Sequence, residues 1–206
     1  IGFIEQFITH TKGELSGKKL KLEDWQKKIV GDIFGWKNKE TELRKYRTVF
    51  ILLGRKNGKS TLCAAIGLYM LFADEERGSE VYSAAGDRQQ AGIVFEIAKG
   101  MILQSPELSQ RGKVFRNSIV NESKGNFYQA ISSDSKTKHG FNANCIIFDE
   151  LHTQPNRDLF DVLVTSTGSR RQPLTIAITT AGYDKQSICY EIYSYAKKVA
   201  DKVIKD

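Results

Sequence analysis

Val49-Phe50-Ile51-Leu52-Leu53-Gly54-Arg55-Lys56-Asn57-Gly58-Lys59-Ser60 is the stretch that decides the fold. Its consecutive apolar residues, with no polar alternation, suit a strand covered on both faces of a parallel sheet. A basic, glycine-bounded loop follows, and Lys59-Ser60-Thr61 then opens a run to Phe72 with Leu62, Ile66, Leu68, Tyr69 and Leu71 at helical spacing. Strand, glycine loop and helix in that order form a phosphate cradle. Backbone N–H groups of Gly54, Arg55, Lys56, Asn57, Gly58 and the helix start wrap the phosphates, Lys59 neutralises their charge, and the Ser60 hydroxyl ligates magnesium. A plain glycine turn has no need of a Gly-Lys-Ser triplet at the helix start. The loop is short: three residues separate Gly54 from Gly58, where the common pattern has four.

Downstream, Cys145-Ile146-Ile147-Phe148 is another buried-strand run, and it ends in Asp149-Glu150. An acid at the tip of a core strand can hold magnesium beside Ser60, and a carboxylate one residue further on can polarise an attacking water. Ser60 and Asp149 are therefore the metal candidates, and Glu150 the candidate general base. The bland alternative is an N-cap cluster for the next helix. Leu174 to Thr179 is a further strand that ends in Thr179-Thr180-Ala181-Gly182, where hydroxyls can sense a γ-phosphate or merely close a turn.

Between these landmarks the pattern alternates. Glu80 to Ala84 suits a strand, Asp87 to Gln104 a helix, Asp158 to Thr167 a helix, and Ser187 to Val203 a terminal helix. Lys113 to Asn121 and Asn126 to Ser132 suit shorter strands of an antiparallel extension. Alternating strands and helices predict an α/β fold with a mostly parallel sheet, whose ligands collect at the carboxyl ends of the strands. Residues 1–47 are charge-dense and helical in pattern, which predicts an N-terminal helical layer on a core of residues 48–206 within the same domain. In that layer the Gln26 amide can pair with the hydrogen-bonding edge of adenine, whereas Trp25 suits the core.

Two basic clusters have functional readings. Arg55 and Lys56 project into the phosphate region, and Arg55 is the candidate γ-phosphate or transition-state contact. Lys136, Lys138 and His139, just before the Asp149 strand, suit either a contact to a neighbour's nucleotide or DNA, or a solvated turn.

Composition bounds these readings. The 206 residues carry 31 Lys and Arg against 24 Asp and Glu, a formal charge of +7. That excess suits a polyanionic partner as well as it suits a lysine-rich surface. Hydrophobic content of 40% with 27% charged residues is that of a globular chain, and no apolar run approaches the length of a membrane span. Cys63, Cys145 and Cys189 are scattered and read as buried thiols of a reducing compartment, and His10, His139 and His152 are too dispersed for a metal site. The chain opens on Ile1 without a secretory pattern, which reads as an excerpt of a longer protein.

Trp25-Gln26, the Gly54 to Ser60 loop, Lys138-His139-Gly140, Ile146-Ile147-Phe148-Asp149-Glu150-Leu151-His152 and Thr179-Thr180-Ala181-Gly182 together resemble the ATPase domain of tailed-bacteriophage terminase large subunits. The resemblance spans nearly the whole chain. It implies a P-loop NTPase of the ASCE/RecA-like type that uses ATP and Mg2+ to drive double-stranded DNA into a prohead. The implied partners are the portal protein, the small terminase subunit and further copies in a ring, commonly a pentamer, in the host cell cytoplasm. By this likeness Gln26 reads adenine, Arg55, Lys59 and Ser60 contact the phosphates, Asp149 serves magnesium, Glu150 is the catalytic base, and Thr179, Thr180 and Gly182 belong to the coupling motif. Many relatives place a trans-acting arginine shortly before the Asp-Glu pair; this chain has Lys138-His139 there. Relatives also carry a C-terminal nuclease, and its absence before Asp206 predicts no nuclease activity. The competing readings are a DNA-dependent helicase lobe, which requires a second such lobe, a small-molecule kinase, and a nucleotide-gated assembly module without turnover.

Overall fold

A computed structural model of the chain describes residues 1–133, 140–180, 182 and 184–204. Two short helices come first, α1 (Gly2–Phe7) and α2 (Asp24–Gly35), then β1 (Thr48–Leu52) and α3 (Lys59–Phe72). β2 (Glu80–Ala85), α4 (Arg88–Leu103) and α5 (Pro106–Ser109) precede the strands β3 (Lys113–Val114), β4 (Ser118–Asn121) and β5 (Asn126–Ser132). β6 (Ala143–Asp149), α6 (Asp158–Thr165), β7 (Leu174–Thr179) and α7 (Ile188–Ala200) complete the domain.

The strands form one seven-stranded sheet in the order β1-β7-β6-β2-β5-β4-β3. The first five of that order are mutually parallel, while β4 and β3 add in antiparallel fashion. Asn126–Ser132 therefore differs from expectation. It pairs parallel to β2 on one side and only its other edge carries the antiparallel hairpin. A strand with alternating burial can do either, because local pattern reports burial and not the direction of a neighbour.

All seven residues of β6 and all six of β7 are buried, which explains their unbroken apolar runs. Side chains alternate across the sheet into two cores. Ile147, Ile176 and Ile178 pack with Leu62, Ile66, Val94, Met101, Val30 and Ile4, so α1 to α4 cover that face. Ile146, Phe148 and Ala177 pack with Leu159, Leu163 and Ile188, which places α6 and α7 on the other. Each fully buried Leu or Ile contributes roughly 1.5–3 kcal/mol over exposure.

The N-terminal stretch is less helical than its pattern suggests. Between α1 and α2 the chain turns through Gly13 and Gly17, both at positive φ, and a bridge from Thr9 to Lys19 closes that excursion. Trp25, expected in the core, is 37% exposed. Successive side chains lie about 100° apart on a helix, and on α2 the inward face is taken by Gln26, Val30 and Ile33. No helix among the described residues is long and apolar enough to cross a membrane.

Candidate nucleotide site

The carboxyl ends of β1, β7 and β6 are adjacent, and every group of the candidate site is carried there. Leu53 N–H donates to the Thr179 carbonyl at 3.1 Å, which holds the start of the glycine loop against the end of β7. The shortened loop is closed by a side chain. Asn57 Nδ2 donates to the Gly54 carbonyl at 3.2 Å, so a side-chain hydrogen bond spans the loop that is one residue short. Lys56 and Gly58 take left-handed backbone angles, φ 65 and 69°. Gly58 caps α3 with no side-chain partner, so the first backbone N–H groups of that helix, Lys59, Ser60 and Thr61 among them, remain available to an anion.

Lys59 is buried, and its Nζ donates to Glu150 Oε1 at 2.9 Å. The Ser60 hydroxyl donates to Asp149 Oδ2 at 3.1 Å. Asp149 is 2% exposed, and its other oxygen, Oδ1, is buried without a hydrogen-bond partner among the described residues. An orphaned buried carboxylate oxygen is costly. Burial accordingly raises the Asp149 carboxyl above its usual value, opposed by the Ser60 hydroxyl. That donor set fits a magnesium ion, which typically takes one or two carboxylates and completes its shell with phosphate oxygens and water. No cluster of three or more His, Cys, Asp or Glu is gathered for a metal among the described residues.

Glu150 has φ 50° and ψ 55°, the left-handed region, at a cost of about 1–3 kcal/mol for a non-glycine residue. The turn reverses the chain after β6, and its carboxylate is then tied down. Oε2 accepts from the Thr180 N–H and hydroxyl, both at 3.2 Å, while Oε1 faces Lys59. Burial pushes this carboxyl up, but Lys59 and the Thr180 N–H outweigh it and hold it below its usual value. Glu150 is thus ionised and able to accept a proton, while Asp149 beside it is pushed the other way. Neighbouring carboxylates with opposed shifts are the mark of divided roles.

Lys59, Ser60, Asp149, Glu150, Thr179 and Thr180 are therefore brought together. Gln26 also lies beside the loop: a Cβ added to Gly58 would come within 3.8 Å of its Nε2. Its Oε1 accepts from the Glu23 N–H at 2.9 Å as half of a capping box. Arg55 and Lys56 are exposed on the loop. Lys136, Lys138, His139 and Ala181 lie outside the described residues.

Two features escaped sequence reading. His152 reaches Thr179 and Glu150; the sequence marked it only as the end of the Ile146 to His152 motif, with no role of its own. Arg44 and Asp74 form a salt bridge at 2.8 Å with both side chains about 95% buried (4% and 5% exposed), and neither residue stood out in its charge-dense stretch of sequence.

Comparison with known proteins agrees with this geometry. The family model for the terminase large subunit, ATPase domain, matches residues 24–198. The chain is 31% identical over 189 residues to the large terminase subunit of Enterobacteria phage HK97, covering 87% of this chain and 36% of that protein. The crystal structure of the HK97 large terminase superposes with a TM-score of 0.83 at 25% identity, over 98% of this chain and 41% of that one. The ATPase domain of the Thermus phage P74-26 large terminase shares the fold, with a TM-score of 0.57 at 20% identity over 84% and 74% of the two chains. The chain thus spans little more than a third of the curated relative's length. A matching family model over most of the sequence, together with a relative 31% identical over 87% of this chain, places this chain in the family of terminase large subunit ATPase domains.

Proposed function

We propose that this chain hydrolyses ATP with magnesium and that hydrolysis drives double-stranded DNA into a viral prohead. The observation that carries the reading is the Lys59–Glu150–Thr180 contact set, which joins the phosphate loop, the strand-end base and the end of β7. A triphosphate seated on the loop competes for Lys59, because phosphate oxygens carry more charge than a single carboxylate. Glu150 Oε1 is thereby released while Oε2 stays held by Thr180. The freed oxygen takes a proton from water as that water attacks the terminal phosphorus and the bond to the ADP oxygen breaks, and Arg55 of the same loop meets the charge that develops there. Asp149 and Ser60 would hold the magnesium ion, whose contribution is to neutralise charge on the phosphate oxygens. Gln26 serves the adenine, and Thr179, Thr180 and Gly182 link the reaction to movement.

The partners proposed with this activity are double-stranded DNA, the portal protein, the small terminase subunit and neighbouring copies in a ring, and the proposed location is the host cytoplasm. Lys138 and His139 are the candidates for a contact across the ring boundary. A ring completes its sites only when subunits associate, so turnover should depend on protein concentration.

The test is magnesium-dependent ATP turnover per subunit across a wide protein-concentration range, with and without double-stranded DNA. Turnover that rises with concentration and with DNA supports the motor. Tight ATP binding without turnover at any concentration favours the nucleotide-gated assembly module.

A further inference from the structure

His152 lies in the 3₁₀ turn Leu151–Thr153 that follows Glu150, and its ring crosses to the end of β7. Nδ1 is 2.8 Å from Thr179 Oγ1 and 3.3 Å from Glu150 Oε2. The Thr179 hydroxyl has the Thr180 carbonyl as an acceptor at 2.9 Å, which leaves its oxygen available to accept from the ring. In the tautomer with its proton on Nδ1, His152 donates to that hydroxyl, and the Glu150 carboxylate oxygen lies 3.3 Å from the same nitrogen.

The ring is also wedged in place. The His152 backbone N–H donates to the same Thr179 hydroxyl at 3.4 Å, and a Cβ on Gly182 would come within 2.9 Å of the His152 Cβ. From the far side, Cys189 Sγ in the first turn of α7 approaches Thr179 Oγ1 at 4.0 Å. Thr179 is thus touched by the turn after Glu150 and by the helix that follows the coupling segment.

We infer that His152 is a positioning residue for hydrolysis: its Nδ1–H joins the Thr179 hydroxyl to the second oxygen of Glu150, so that the end of β7 and α7 set where the carboxylate points. The inference rests on the reading of Glu150 as the base. Once Lys59 turns to phosphate, the orientation of the carboxylate depends on the donors that remain at Oε2. Two of those come from Thr180. The His152 ring nitrogen, 3.3 Å from the same oxygen, links it to the Thr179 hydroxyl. Loss of that tie leaves ATP binding intact and misplaces the base, and a misplacement of about 1 Å can cost about 100-fold in rate.

The experiment measures kcat and KM for ATP, and the affinity of a non-hydrolysable ATP analogue, in His152 variants of this chain. His152→Ala should lower kcat by about 10- to 100-fold with KM and analogue affinity within about twofold of wild type. His152→Asn, which can set an amide N–H close to the position of Nδ1, should recover most of the loss. His152→Gln, whose amide reaches the position of Nε2, should not. In a Thr179→Val background, His152→Ala should cost little more, since both changes cut the same link. If His152→Ala melts early, the Asn and Gln variants carry the comparison.

An unchanged kcat in His152→Ala, a rise in KM at constant kcat, or equal recovery by Gln and Asn overturns the inference while leaving the ATPase reading in place. A wild-type chain that binds ATP and never turns it over overturns both together.

Discussion

Lys59 Nζ and Glu150 Oε1 are 2.9 Å apart, so the cation proposed to serve the phosphates and the carboxylate proposed to serve the water hold one another in the structure. The two residues lie on different elements, at the start of α3 and just past the end of β6. In the proposed mechanism their contact makes phosphate binding and release of the base one event, because the ammonium group cannot neutralise both partners fully.

Lys59→Ala should therefore act twice. It removes charge-assisted hydrogen bonds, worth about 1.5–3 kcal/mol each, and ATP-analogue affinity should fall by about 10- to 100-fold, as read by equilibrium binding. It also removes the largest influence holding the Glu150 carboxyl down against burial. Turnover should then vanish even at saturating ATP. Analogue affinity equal to wild type would show that Lys59 does not reach the phosphates.

The same contact has a pH signature. Glu150 is held below its ordinary value of 4.5 in the fold, so the contact contributes stability above that pH, and the contribution is lost as pH falls through the lower folded-state value. Melting temperatures recorded between about pH 3 and 6 should fall less steeply with acid in Glu150→Gln than in wild type. Superimposable profiles would mean that the carboxylate gains nothing from Lys59 and Thr180.

Arg44 and Asp74 sit at the other end of the sheet and carry a different prediction. Arg44 also donates to the Gln172 carbonyl at 2.6 Å and stacks over Phe34, while Asp74 accepts from Asn144. Asp74→Ala leaves the buried guanidinium without its counter-charge, which should cost about 3–5 kcal/mol of stability by denaturant melts. KM for ATP should not change, since α3 separates this pair from the loop.

Gly182→Ala places a methyl group 2.9 Å from the His152 Cβ, closer than packed carbons allow. One of the two turns must then shift. The expected result is a kcat reduced by about tenfold or more with analogue affinity retained, and an unaffected kcat would show that the turn absorbs the change.

Much of this arrangement was legible in the chain because its signals are local. The apolar run before Gly54, the Gly58-Lys59-Ser60 triplet and the acids that end Cys145-Ile146-Ile147-Phe148 each declare a strand end or a helix start on their own, and the structure sets them where such elements meet. The paired direction of Asn126–Ser132, the exposure of Trp25, the burial of Arg44 and the reach of His152 are tertiary facts. No periodicity encodes them, because each depends on a neighbour contributed by a distant segment. The hydrogen bond from the Asn57 side chain that spans the short loop lies between the two: the missing residue was visible, this contact was not.

The central claim is that Glu150 is the base for hydrolysis, and Glu150→Gln tests it most directly. With magnesium and saturating ATP, turnover should fall by about 100- to 10,000-fold, while affinity for a non-hydrolysable ATP analogue remains close to wild type. Turnover at the wild-type rate in that variant would contradict the account.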